Sequence, residues 1–207
     1  MVSLRLAVIA LAATSCAAFA PSPAFGAAKV SSSSLNANIA DTIASLQGPA
    51  MVWGADGIAQ GKGENDFKGY DDFTKFTAAA NANGVMDLLR GPGPFTVFLP
   101  SDSAVSSFRG DVSADVLKYH IVEGKIPSGS ISGDMKTVQG ETITYCRKFR
   151  KTFVDDAIIG QADNFGGGSA FPTDVECDNG IIHTVAIMLA PGYVSAGAEA
   201  GMGGQDR

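Results

Sequence analysis

The hydrophobic period of this chain changes once, and that change limits the folds open to it. Between residues 70 and 120 apolar side chains recur at helical spacing in four short stripes. Phe73, Phe76 and Ala80 form the first, and Val85, Leu88 and Leu89 the second. Ala104, Val105 and Phe108 form the third, and Val116, Leu117 and His120 the fourth. Only residues 95–99 alternate within this region, held between the prolines of 91–94 and Pro100, which cannot sit inside a helix or a central strand. Past Gly129 the period falls to two, with strands expected at 135–138, 142–146, 152–154, 158–159 and 181–189. Helices first and strands later, with no internal repeat, predict an α+β domain. Asp71 or Asp72, Ser101 or Asp102, and Ser113 stand where N-caps are needed. A further short helix is expected at 41–47, with Ile39, Ile43 and Leu46 on one side and Gly48-Pro49 stopping it.

The first residues read as targeting sequence. Arg5 precedes an apolar run that closes on small residues, a secretory signal expected at 1–18. Residues 19–40 contain no carboxylate and a run of four serines, a composition shift that reads as a second targeting segment or a linker. A glycine-rich arm at 41–67 carries the lone Trp53; the compact domain is expected at 68–192 and a flexible tail at 193–207. The formal net charge of -6 argues against a nucleic-acid partner. After the signal the longest apolar stretch, 181–194, contains His183, Thr184 and Pro191 and cannot cross a membrane. Cys146 and Cys177 are left once Cys16 departs with the signal; the pair permits a disulfide as readily as two separate thiols.

Four segments together carry a resemblance. Residues 95–104, reading FTVFLPSDSA, include Phe95, Thr96 and Pro100; Tyr119-His120 follows, then Gly140 in TVQGE. Asn179-Gly180 with His183, and finally Leu189-Ala-Pro191, close the series. In this order and spacing the blocks resemble the fasciclin-like domain, which implies a β-sandwich or wedge flanked by short helices, with structural roles for both histidines. Ala186 stands where that family usually has Asp, and Asp174-Val175 where many members carry an Asp-Ile pair associated with adhesion. The Ala-Phe-Ala-Pro at 18–21 resembles the junction of two-part plastid presequences in diatoms and related algae.

No constellation of residues points to catalysis. Period two places His183 in the otherwise apolar row Ile181, Val185, Ile187, Leu189, where a buried neutral imidazole is the simplest state. No G-x-S-x-G elbow or phosphate loop is present, and Asp155-Asp156 reads as a solvated turn. No cofactor or metal is expected. The features left over favour binding: Trp53, as an aromatic anchor or a ring folded back on its own domain; Asp174; and the basic run Arg147, Lys148, Arg150, Lys151, as a spot for an anionic partner or a solvated hairpin tip. The expectation is therefore a non-enzymatic protein-interaction module in a plastid, docked on a photosynthetic membrane complex. A secreted or cell-surface adhesion protein is the alternative, and a small-ligand carrier or enzyme the remote one.

Overall fold

The computed structural model describes residues 37–63, 66–148, 151–160 and 171–193. The signal, the targeting segment up to residue 36, most of the 165–172 loop and the tail from residue 194 lie outside the described residues. Helix α1 (Ile39–Ser45) is capped by Asn38, whose Oδ1 accepts the Asp41 N–H at 2.9 Å. Ile39, Ala40 and Ile43 are buried, so the boundary expected between residues 40 and 41 falls inside α1. The Ile39 N–H donates to Asn179 Oδ1 at 2.8 Å, which ties α1 to the far end of the sequence.

An arm follows: β1 (Ala50–Val52), α2 (Ala55–Ile58) and β2 (Phe67–Tyr70). β1 pairs with β2, antiparallel, with Ala50 opposite Tyr70 and Val52 opposite Phe67. A bulge in β2 shifts the register, so Phe67 and Tyr70, three residues apart, both lie across from the alternating pair Ala50 and Val52. The arm is clasped at its base, where the Asp71 N–H meets Pro49 O and the Gly48 N–H meets Asp72 Oδ1, both at 3.0 Å.

Helices α3 (Thr74–Ala82) and α4 (Val85–Arg90) lead to β3 (Phe95–Pro100). Then come α5 (Asp102–Ser107), α6 (Ala114–Tyr119) and β4 (Ile121–Glu123). Ser101 caps α5 and Ser113 caps α6 with their hydroxyl oxygens. α3 departs from expectation. Asp71 and Asp72 do not cap it, because the Asp71 carboxylate accepts the Ser103 N–H and the Asp72 carboxylate accepts that of Gly48. Asp102 takes their place from the neighbouring helix, accepting the Lys75 N–H at 2.7 Å and the Thr74 hydroxyl at 2.6 Å.

Four short pairing strands, β5 (Met135–Lys136) with β6 (Thr142–Ile143) and β7 (Tyr145–Lys148) with β8 (Lys151–Val154), precede β9 (Ala157–Ile158). The chain closes with β10 (Val175–Cys177) and β11 (Gly180–Val185). The central sheet runs β10-β11-β3-β4, with β11 parallel to β3 and the other pairs antiparallel. β11 stops at Val185, short of the expected 181–189. Its partner ends there at Pro100, which has no N–H to extend the ladder.

Sheets flanked by short helices give the expected α+β architecture, and the core forms two apolar clusters. Val97, Leu99 and Ile182 meet α1, α3, α4 and α6 in one; Phe98 and Val185 meet Ile143, Val154 and Ala157 of the small strands in the other. The Asp155-Asp156 turn between β8 and β9 is not solvated at its first residue. Asp155 is buried at φ +52°, and its carboxylate accepts the Tyr119 hydroxyl at 3.0 Å and the Thr144 N–H at 2.9 Å. Those bonds make its burial tolerable, although desolvation still pushes its pKa up.

Candidate interaction surface

The two histidines define what the molecule does not leave open. His120, at the C-terminal end of α6, is fully buried, and its Nδ1–H donates to Val116 O at 2.8 Å. Its Nε2 accepts the Leu189 N–H at 3.0 Å. Burial lowers its pKa to about 4, so the ring is neutral at physiological pH. His183 on β11 uses the opposite tautomer: Nε2–H donates to Ile126 O at 2.8 Å and Nδ1 accepts the Asp174 N–H at 3.4 Å. Burial lowers its pKa as well. His120 packs edge-on to Phe76 of the first apolar cluster, whereas His183 lies against Phe98 of the second. Each imidazole thus bridges two backbone segments and retains no free nitrogen for acid–base work or a metal.

The remaining signature residues join segments in the same way. Asn179 is a junction: Oδ1 holds Ile39, and Nδ2 donates to Leu89 O at 2.7 Å and Gly91 O at 2.9 Å. Gly180 admits the Phe95 carbonyl where a Cβ would stand only 2.0 Å from that oxygen. The Thr96 hydroxyl donates to Gly124 O and accepts the Ile126 N–H. Tyr119 holds Asp155, and Pro191 precedes Gly192, whose N–H meets Glu141 Oε2 at 2.7 Å.

The expected binding residues fare differently from one another. The Asp174 carboxylate accepts both the N–H and the hydroxyl of Ser128. Burial pushes its pKa upward, but the Ser128 bonds and nearby His183 together hold it below the usual carboxylate range. Cys146 and Cys177 are free thiols, so the disulfide the sequence permitted is absent. Cys146 belongs to the β7–β8–β9 sheet, whereas Cys177 sits on β10 with its thiol 3.3 Å from the Thr42 hydroxyl of α1. In the basic run Arg147 is exposed and Lys151 half-buried on the paired strands β7 and β8, and neither has an ion-pair partner among the described residues. Arg150 and the Lys148 side chain lie outside the described residues. A solvent-open groove of about 530 Å³ between α1 and α3 mixes Ile43 and Phe73 with Ser45, Gln47, Asp72 and Asn81. It lacks the apolar enclosure of a carrier's cavity.

The apolar surface lies in the arm. Trp53 is half-buried, with the Lys68 ammonium 5.1 Å from its ring centre, so it folds back on its own hairpin instead of standing free. The exposed large hydrophobic side chains of the described residues are Val52 at 36%, Ile58 at 60%, Phe67 at 59% and Tyr70 at 46%. All lie within residues 52–70. Phe67 and Tyr70 meet edge-to-face with ring centres 5.1 Å apart. The sequence left Trp53 open between an anchor and a ring folded back on its own domain; Phe67 and Tyr70 were missed because their shared face depends on the bulge, which alternation alone cannot reveal.

Comparison with known proteins places most of this scaffold. The Fasciclin domain profile matches residues 71–191, more than half of the chain, and leaves the arm outside. The chain is 29% identical to Protein sll1483 of Synechocystis sp. over 136 residues, covering 59% of this chain and 69% of that protein. It is 25% identical to the transforming growth factor-beta-induced protein ig-h3 of Sus scrofa over 136 residues, 60% of this chain but 18% of that protein. A FAS1 domain pair from the insect cell adhesion molecule fasciclin I superposes with a TM-score of 0.43 at 18% identity, covering 57% of this chain and 47% of that one.

Proposed function

The chain belongs to the fasciclin domain family, and from that premise we propose that it is an exported adhesion protein, secreted or held at the cell surface, that works by binding other proteins. Fasciclin domains are non-enzymatic protein–protein interaction modules. The observation that carries the reading is the division of labour between side chains. Both imidazoles and the Asn179, Thr96 and Tyr119 side chains are engaged in internal hydrogen bonds, while large apolar groups stand exposed in one arm. In this reading residues 1–18 are the cleaved signal, the stretch after them is a linker, and the tail from 193 extends beyond the domain.

A second reading has its own observation. The Ala-Phe-Ala-Pro junction at 18–21 resembles a two-part plastid presequence and favours action beside a photosynthetic membrane complex. Contact with such a complex would run through protein, since no helix of the described residues is long and apolar enough to cross a membrane. Imaging a C-terminal fluorescent fusion that keeps the intact N-terminus separates the two. Signal at the cell boundary or in the medium is the expected result. Signal confined to plastids would overturn export and leave the second reading standing.

A further inference from the structure

We infer that residues 187–193 form an acid-released strap, closed on the domain at neutral pH and freed when His120 and Glu141 take up protons. The inference adds a conformational switch to the proposed function and does not depend on where the protein is exported. Three observations carry it.

The first is how the strap is held. It follows β11, which ends at Val185, and lies outside the strand ladders. Among the described residues two hydrogen bonds tie it to other elements. The Leu189 N–H donates to His120 Nε2 at 3.0 Å, and the Gly192 N–H donates to Glu141 Oε2 at 2.7 Å. Both acceptors are titratable, whereas a backbone carbonyl in either place would be indifferent to pH. A protonated His120 carries a proton on Nε2 and sets donor against donor at Leu189. A protonated Glu141 loses the charge that strengthens the Gly192 bond. The second observation is what the strap covers. Met188 packs in the first apolar cluster and Leu189 in the second, both buried. Lifting the strap therefore opens both clusters at once.

The third is the direction of the proton linkage. The His120 ring meets Val116 O, the Leu189 N–H and Phe76, and burial outweighs the Val116 bond in lowering its pKa from 6.5 to about 4. A ring freed of the strap regains its ordinary value, so protons favour the open state. Closure is complete above pH 6.5 and is lost as pH falls toward 4. Between about pH 7 and about pH 5 His120 alone multiplies the opening equilibrium about 20-fold. Around Glu141 and Tyr193 stand Tyr119, Asp155 and Asp156. The Asp155 carboxylate is held by the Tyr119 hydroxyl and the Thr144 N–H, neither of them part of the strap, so its titration does not enter the release.

The test is amide hydrogen exchange of the processed full chain, followed by NMR over a pH series, since exchange through local opening reports that opening residue by residue. Leu189 and Gly192 should be less protected than Phe98, whose N–H donates to His120 O at 2.9 Å in the core. Leu189 should also lose protection about 20-fold between about pH 7 and about pH 5. In Glu141→Gln the side-chain oxygen keeps the Gly192 bond without a titrating proton. Gly192 should then stay better protected at about pH 4 than in the unaltered chain. His120→Gln should flatten the pH dependence at Leu189; where that variant fails to fold, the unaltered chain and Glu141→Gln decide. Leu189 as protected as Phe98 at every pH means that the strap leaves only when the whole domain unfolds, and overturns the inference. Protection of Leu189 that ignores pH overturns it too, as does a Glu141→Gln chain that matches the unaltered one at Gly192. A strap that opens in acid in a chain confined to plastids would keep this inference and sink export; a strap blind to pH in a chain at the cell boundary would do the reverse.

Discussion

Gly180 is a strand residue with ordinary backbone angles, and what forbids a larger side chain there is room. A Cβ would sit 2.0 Å from the Phe95 carbonyl oxygen and 2.7 Å from Ile39 Cδ1. The first of these is backbone in the paired strand and cannot swing aside. Gly180→Ala should therefore cost roughly 2–3 kcal/mol in urea unfolding, the upper part of the range for forcing extra volume into a packed core. Gly129→Ala, where a Cβ meets nothing within 4 Å, should leave the midpoint unchanged. Equal midpoints for both variants would refute the close approach. The Asn179-Gly180 pair was legible in the sequence as part of a family block, but its reason was not. The groups that need it lie at Ile39, 140 residues away, and at Leu89 and Gly91. No local pattern encodes such a meeting.

Elements were legible as periods and obscure in their connections. The stripe of Phe73, Phe76 and Ala80 located α3, yet the helix takes its cap from Asp102 across the fold because the nearer acids serve other amides. Asp102→Ala should cost about 1 kcal/mol, the usual worth of an N-cap, read as a lower urea midpoint with an unchanged slope. No change in midpoint would show that Lys75 finds another acceptor. α1 was placed two residues late at its start because its buried end, Ile39 and Ala40, sits in a stretch whose composition otherwise reads as linker. In the arm, a residue inserted by the bulge brings two aromatics to one exposed face, whereas the eye-catching Trp53 lies under Lys68. The positions that make the surface were thus set by a ladder irregularity, a property of paired strands that a single strand's sequence does not contain.

For the whole molecule, the order of signature blocks foretold the mixed fold with flanking helices, and the central sheet explains the order. The first of those blocks, β3, lies parallel to β11 from the last, so both must be present before either is buried. The same closure locks the imidazoles, with His120 meeting Leu189 and His183 meeting Ile126. Because His120 has its folded pKa lowered from 6.5 to about 4, protons favour the unfolded chain. Its contribution to stability is full above pH 6.5 and falls by about 3 kcal/mol as pH drops toward 4. His183, also lowered, acts in the same direction. The central claim, that these rings hold the scaffold and leave contact as the molecule's means of action, is tested most directly by nitrogen NMR of the imidazoles against pH. Two neutral rings of opposite tautomer are expected, protonated on Nδ1 in His120 and Nε2 in His183, unchanged from about pH 8 to about pH 6. Either ring titrating near 6.5 in the folded protein, or exchanging between tautomers there, would contradict it.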